Sequence, residues 1–143
     1  MERAVSLAPN EAGSYAALAV VLSEIGKTEE ALQAAAQALQ RKPSEPDSHL
    51  AEVGSAYAVA GHYEEARPLL QRNRNRYPSL LTHLTLATVY SELGQDAEAR
   101  AEAAEVLRIN PHFSLELYKQ RMPIKDPAVL ERHIAALRRA GLK

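Results

Sequence analysis

One frame of three residues recurs three times along the chain and constrains its fold more than any other feature. The frame is a glycine, an alanine five residues later and a proline twelve residues after that. Its copies are Gly26, Ala31 and Pro43; Gly61, Ala66 and Pro78; and Gly94, Ala99 and Pro111. The glycines are 35 and then 33 residues apart, so the period is about 34 residues. A fixed period of this length is typical of stacked helical repeats, in which each unit buries its apolar face on its neighbours.

Each unit reads as two helices joined by a tight turn. In the first unit, apolar residues at helical spacing precede Gly26, and a second apolar series runs from Ala31 to Leu39. Glycine readily takes the left-handed conformation that ends a helix. We expect Thr28 to cap the second helix and Pro43 to stop it, and we expect Ser79 to cap the first helix of the third repeat.

The period divides the chain into five segments. They are 1–11, a remnant of a preceding repeat; 12–45, 46–79 and 80–113, three full repeats; and 114–143, helices that cap the array. The first segment matches the end of a repeat, because Ala4 lies five residues before Pro9 as Ala38 lies before Pro43. It could be an N-terminal cap. We favour a chain cut from a longer protein, since an isolated half-repeat leaves an apolar face uncovered.

The second repeat departs from the pattern in its second helix. Pro68 lies beyond the first turn, where proline removes a backbone hydrogen bond. Asn73 and Arg74 occupy positions that are Ala38 and Leu39 in the first repeat. We therefore expect the seam after this helix to be the least apolar in the array.

The period breaks after Pro111. Residues 114–121 predict a short helix, and residues 122–127 predict an extended linker. Asp126 followed by Pro127 is a strong helix start, and Gly141 is placed to end that helix. One apolar face of this last helix carries Leu130, Ile134 and Leu137. We expect this helix to cover the third repeat.

The three units resemble the tetratricopeptide repeat. The matching residues are Leu18, Ala19, Leu22, Gly26, Ala31 and Pro43; Val53, Gly54, Tyr57, Gly61, Ala66 and Pro78; and Leu86, Ala87, Tyr90, Gly94, Ala99 and Pro111. The resemblance implies an all-α fold, a right-handed α-solenoid of three helix hairpins with a partial N-terminal repeat helix and C-terminal capping helices. It also implies that the first helix of each pair lines a concave groove.

The tail carries a second, narrower resemblance. Residues 110–116, 123–127 and 130–142 are similar to an ending that closes bacterial proteins in which repeats follow an adenylate or guanylate cyclase domain or a winged-helix regulator domain. This resemblance implies that the chain is the regulatory C-terminal region of a larger bacterial signalling protein.

The resemblance to the tetratricopeptide repeat also assigns the residues that face the groove. They are Gly13, Ala16, Val20 and Ser23; Ser48, Ala51, Ser55 and Ala58; and Leu81, Leu84, Thr88 and Ser91. These side chains are small or apolar and include no cation, which argues against a clamp for the C-terminal carboxylate of chaperones. We expect the partner to be a protein or peptide that offers an apolar or helical segment. The chain's own tail or a second copy of the chain are the alternative occupants.

Little in the sequence suggests catalysis. There is no cysteine, the histidines lack the spacing of metal ligands, and no phosphate-binding loop or nucleophile triad is present. His62 and His112 fall at turns, and His133 is expected on the solvated side of the last helix. We therefore expect no enzyme activity in this chain, no metal and no cofactor.

One basic cluster stands out in a chain of net charge −1. Its members are Arg67, Arg72, Arg74 and Arg76. Such a cluster could contact nucleic acid, but cations are expected near a helix C-terminus in any case. Nucleic-acid binding is therefore the least favoured function.

The sequence as a whole favours a cytoplasmic protein–protein interaction scaffold. The alternative is a homo-oligomerisation module that stacks through exposed repeat ends. No membrane partner is expected, because no apolar run approaches the roughly 18 residues that span a bilayer.

Overall fold

The computed structural model describes residues 11–41 and 47–143, and within them every regular element is an α-helix. The helices are α1 (Glu11–Glu24), α2 (Thr28–Gln40), α3 (Leu50–Val59), α4 (Tyr63–Arg76), α5 (Leu80–Glu92), α6 (Asp96–Ile109), α7 (Leu115–Arg121) and α8 (Pro127–Arg139). The predicted all-α fold is confirmed, as three helix hairpins followed by two tail helices. The predicted remnant helix before Glu11, and Pro43, lie outside the described residues.

The repeating glycines form the turn inside each hairpin. Gly26, Gly61 and Gly94 have φ angles of 86°, 84° and 76°, in the left-handed region that glycine adopts without strain. In the first hairpin the backbone N–H of Lys27 donates to the carbonyl of Leu22 at 2.9 Å. The same bond, from the residue after the glycine back to the helix, recurs at the other two turns. This Schellman pattern supplies hydrogen-bond donors to carbonyl groups that would otherwise lack a partner at the end of the helix.

Two of the three predicted helix N-caps are present in the structure, and one is not. The Ser79 hydroxyl accepts from the N–H of Thr82, and the Asp126 carboxylate accepts from the N–H of Ala128, as expected. The predicted cap at Thr28 is wrong. Helix α2 already begins at Thr28, after Lys27, so the Thr28 side chain lies within the first turn, where it cannot cap that turn.

The hairpins pack side by side, and the first helix of each later one lies against both helices of the hairpin before it. Helix α1 packs on α2 and α3, helix α3 on α4 and α5, and helix α5 on α6. Alanines dominate the buried residues around α1 and α2, whereas leucine, isoleucine and valine dominate around α5, α6 and the tail. Helix α8 packs on α5 and thereby joins the core of the third hairpin, burying Ile134 and Leu137.

Candidate functional site

The predicted groove residues lie on α1, α3 and α5, apart from Ser48, which lies in the turn before α3, and most of them are covered. The buried ones are Ala16, Ser23, Ala51, Ala58, Leu84, Thr88 and Ser91. Gly13, Val20 and Ser55 are half-buried, and Ser48 and Leu81 are exposed. Part of this burial comes from the neighbouring first helices, and part comes from the chain's own tail.

The last helix lies against the α5 end of the groove. The Thr88 hydroxyl contacts Nδ1 of His133 at 3.0 Å. Arg139 donates from Nε to the Ser91 hydroxyl at 3.2 Å and pairs through Nη2 with the Glu92 carboxylate at 2.6 Å. Of the occupants that the sequence left open, the chain's own tail therefore covers the part of the groove formed by the third hairpin.

The linker between α7 and α8 reaches across to the first hairpin. The backbone N–H of Lys125 donates to the carbonyl of Glu24, at the end of α1, over 2.9 Å. Ile124 is buried beside it. The tail thus spans the groove from α5 to α1, and it is held at both ends by hydrogen bonds.

A cavity of about 230 Å³ lies between the tail and the first helices. Five of the predicted groove residues line it, namely Val20, Ser55, Ala58, Leu81 and Thr88. The tail contributes the opposite wall, with Tyr118, Met122, Ile124, Val129, Arg132 and His133. Most of this lining is apolar, and two carboxylates, Glu24 and Glu52, interrupt it.

Burial shifts the pKa values of ionisable side chains that line the cavity. Burial raises the pKa of the Glu24 carboxyl group, and also that of the Glu52 carboxyl group, where a backbone hydrogen bond opposes it. Burial also raises the pKa of the Tyr118 hydroxyl, with a further contribution from Glu24. Burial lowers the pKa of His133 to about 4, although nearby Glu92 opposes the shift. His133 is therefore a neutral ring at pH 7.

The expectation that His133 faces solvent is wrong, because the tail folds back onto α5. The His133 ring is held between Thr88 and Tyr118, whose hydroxyl lies 2.7 Å from Nε2. The Thr88 hydroxyl donates to the carbonyl of Leu84 at 3.1 Å, so it accepts from His133 Nδ1–H. Nε2 then accepts from Tyr118, and this network assigns the tautomer of the ring.

Two stretches of the chain match the family profile described as the tetratricopeptide repeat. The stretches are residues 1–33 and residues 82–113. These two stretches are therefore similar to tetratricopeptide repeats. Proteins with tetratricopeptide repeats use them as non-catalytic modules that mediate protein–protein interaction. A search of curated proteins and a search of solved structures each found no match.

The profile matches lie on either side of the second hairpin, where the tetratricopeptide pattern fails at Asn73. Asn73 is buried and accepts from the Thr82 hydroxyl at 2.7 Å. It also donates to the carbonyl of Asp47 at 2.9 Å. This polar bridge replaces the alanine of the first repeat and places side-chain hydrogen bonds in the seam between α4 and α5.

The candidate basic cluster is largely paired with neighbouring polar groups. Arg67 donates to Gln95 at 2.7 Å and pairs with Glu64, and Arg72 pairs with Asp47 at 2.6 Å. Arg74 pairs with buried Glu102, which also contacts His83 at 2.7 Å. Arg76 is exposed at the end of α4. These interactions turn three of the four arginines toward different neighbours, so the structure does not gather them into one cationic surface.

Sequence reasoning missed Glu52 and Tyr118 as parts of the site. Glu52 lies four residues after Ser48 and three before Ser55, so helical spacing alone could have placed it on the groove side of α3. No sequence signal places Tyr118 there, because its position depends on the path of the tail.

In the described ranges, no helix is long and apolar enough to cross a membrane. Within the same ranges, no three His, Asp or Glu side chains converge as a metal site would require.

Proposed function

We propose that the chain is a protein–protein interaction scaffold whose groove receives an apolar or helical segment of a partner protein. The observation that carries the proposal is the docking of α8, a helix with one apolar face, against the groove side of α5. A surface that accepts a helix of its own chain has the shape and polarity to accept one from a partner. The role that tetratricopeptide repeats generally have supports the same conclusion.

Several predicted groove residues of the first two hairpins keep part of their surface accessible to a partner even with the tail docked. Gly13, Val20 and Ser55 are half-buried, and Ser48 is exposed. On α5, Leu81 is 41% exposed although it lies on the groove side. A leucine exposed on a concave surface suits contact with an apolar side chain of a partner helix.

The experiment is selection of binders from a displayed library of amphipathic helical peptides, followed by affinity measurement against two variants. Leu81 and Leu107 are both 41% exposed, but only Leu81 lines the groove cavity. Leu81→Lys should weaken the selected peptides at least tenfold, and Leu107→Lys should leave them unchanged. Equal effects of the two variants, or failure to select any peptide, would count against the groove as the binding surface.

We further propose that the scaffold belongs to a larger cytoplasmic bacterial signalling protein, either a cyclase or a transcriptional regulator. The support is the similarity of residues 110–116, 123–127 and 130–142 to the ending of such proteins. The test is the reading frame around the coding sequence of this chain. A preceding cyclase or winged-helix domain would support the proposal, and a reading frame with neither would oppose it.

Self-association is the second candidate function. Large apolar side chains are exposed at the ends of the second helices, with Leu39 at the end of α2 and Leu107 and Ile109 at the end of α6. Light scattering over a hundredfold range of concentration separates the two functions. A mass that rises with concentration and is restored to the monomer by Leu107→Lys supports self-association, and a constant monomer mass excludes it.

A further inference from the structure

We propose that the linker between α7 and α8, residues 122–126, occupies the groove as an internal peptide, and that an extended segment of a partner protein displaces it. The partner segment carries two apolar residues separated by one residue, as Met122 and Ile124 are separated by Pro123. This inference rests on the proposed scaffold function and deepens it, because it names the kind of segment that the first two hairpins receive.

The sequence of the linker favours an extended backbone. A proline restricts the residue before it to extended conformations, and prolines follow both Met122 and Asp126. Met122 has φ −71° and ψ 127°, and Asp126 has φ −78° and ψ 115°. The linker therefore lies in the groove as an extended peptide and not as a helix.

Alternate side chains of the linker face the groove, as they do in any extended chain. Ile124 is buried and Met122 is half-buried, and both line the cavity beside α1 and α3. Pro123 and Lys125 are exposed. The groove thus contacts two apolar side chains at alternate positions, which is the pattern that we assign to the partner.

The end of α1 offers a backbone acceptor to the same segment. The turn at Gly26 uses the carbonyls of Leu22 and Ser23, and the carbonyl of Glu24 accepts from the N–H of Lys125 at 2.9 Å. Carbonyls in the last turn of a helix have no partner within the helix, so this acceptor can serve an incoming chain. Because the bond involves only backbone atoms, any residue except proline can donate it.

The two tail helices are held in place by contacts that do not involve the linker. Ile134 and Leu137 of α8 are fully buried in the core that the third hairpin shares. The carbonyl of Lys143 accepts from the N–H of Leu115, at the start of α7, at 2.8 Å. Displacement of the linker therefore leaves α7 and α8 docked.

The linker leaves unfilled space in the groove that it occupies. The cavity of about 230 Å³ lies against Met122 and Ile124. A partner segment with larger apolar side chains would bury more surface there than the linker does. The linker nevertheless has the advantage of its tether, which gives it a millimolar effective concentration, so a free peptide of the same sequence competes poorly until the linker is released.

The experiment is an NMR titration of the full chain with an acetylated and amidated peptide of residues 121–127. Ile124→Ser removes the buried side chain that anchors the linker, and Lys125→Ser changes an exposed side chain and is the matched control. The peptide should bind Ile124→Ser at least tenfold more tightly than the unaltered chain or Lys125→Ser, and it should shift the amide signals of Val20 and Ser55. Equal affinity for the three chains, no binding to Ile124→Ser, or shifts that spare these two amides would overturn the proposal.

Two altered peptides test the alternating pattern. The peptide with serine in place of isoleucine should bind the Ile124→Ser chain at least tenfold more weakly, and the peptide with serine in place of lysine should bind it with unchanged affinity. Equal affinities of the two altered peptides would contradict the pattern. Selection of helical peptides with Leu81→Lys tests the scaffold function separately, so helical binders without binding of the extended peptide would overturn only this inference.

If Ile124→Ser does not fold, amide exchange in the unaltered chain decides. An excess of the peptide should speed exchange at Lys125, because the displaced linker loses its bond to Glu24. The amide of Leu137 in α8 should exchange at the same rate with and without the peptide. Exchange at Lys125 that the peptide leaves unchanged would refute the displacement.

Discussion

Replacing Gly54 by alanine should destabilise the protein, although alanine is the better helix former. Gly54 lies in α3 and faces the fully buried side chain of Leu70 on α4. A Cβ added at Gly54 would lie 2.6 Å from Cγ and 2.7 Å from Cδ2 of Leu70. Carbon atoms attract best at about 3.5–4.0 Å, so this contact is strongly repulsive. Leu70 cannot move away freely because the core encloses it.

Two opposing effects set the magnitude. Overpacking a core by one methyl group costs about 1–3 kcal/mol, and the upper end applies because the contact involves the branch point of a buried side chain. The gain in helix propensity from glycine to alanine is about 1 kcal/mol. We therefore expect a net loss of about 2 kcal/mol in the free energy of unfolding. For a chain of this size, that loss lowers Tm by roughly 5–8 °C.

Chemical denaturation followed by circular dichroism measures this loss. The double variant Gly54→Ala with Leu70→Ala isolates the contact, because the added methyl group should cost nothing once the leucine is removed. Ala19 and Ala87 occupy the same repeat position in the other hairpins and are accommodated there. If Gly54→Ala raises stability by about 1 kcal/mol, as for an unconstrained helix glycine, the close approach of α3 and α4 is refuted.

Two further predictions concern buried titratable groups. The pKa of His133 is lowered to about 4 in the folded chain. Between pH 6.5 and 4 the unfolded chain therefore binds a proton at His133 that the folded chain does not bind. The contribution of His133 to the free energy of unfolding is full above pH 6.5 and falls by roughly 3 kcal/mol as the pH drops toward 4. Urea unfolding at several pH values should show this slope, and His133→Gln should flatten it; an unchanged slope in the variant would contradict the buried neutral ring. Glu102→Gln should cost about 2 kcal/mol in the same assay, because it removes the charge shared by buried His83 and part-exposed Arg74. Glu105→Gln, which removes an exposed ion pair one turn further along α6, should leave Tm unchanged. A similar loss of stability in both variants would show that the interactions of Glu102 with His83 and Arg74 contribute no specific stability.

Local sequence rules accounted for most of the helical frame. The three hairpin glycines adopt the left-handed conformation that the repeat requires, and Asp126 with Pro127 starts the last helix. These features depend on residues within one or two turns, which is the range over which propensity and capping act. Thr28 was predicted wrongly within that range, because the Schellman turn begins α2 one residue earlier than a threonine cap would require.

The sequence offered the tail as one possible occupant of the groove, but the path of the tail could not be predicted, because it depends on contacts between distant residues. Lys125 and Glu24 are about a hundred positions apart, and no local pattern joins them. His133 was assigned to solvent from its spacing on α8 alone, and the docking of that helix on α5 reversed the assignment. The helical spacing of α3 nevertheless places Glu52 on the same face as Ser55, so one wall of the cavity could have been predicted from the sequence.

Amide hydrogen exchange at Lys125 tests most directly whether the tail closes over the groove. This residue lies in an extended linker, and its N–H donates to the carbonyl of Glu24 on the first hairpin. If the tail is docked as described, its amide should exchange at least roughly a hundredfold more slowly than in an unstructured peptide. Exchange at the unstructured rate, while the Val89 amide within α5 stays protected, would contradict the closed groove.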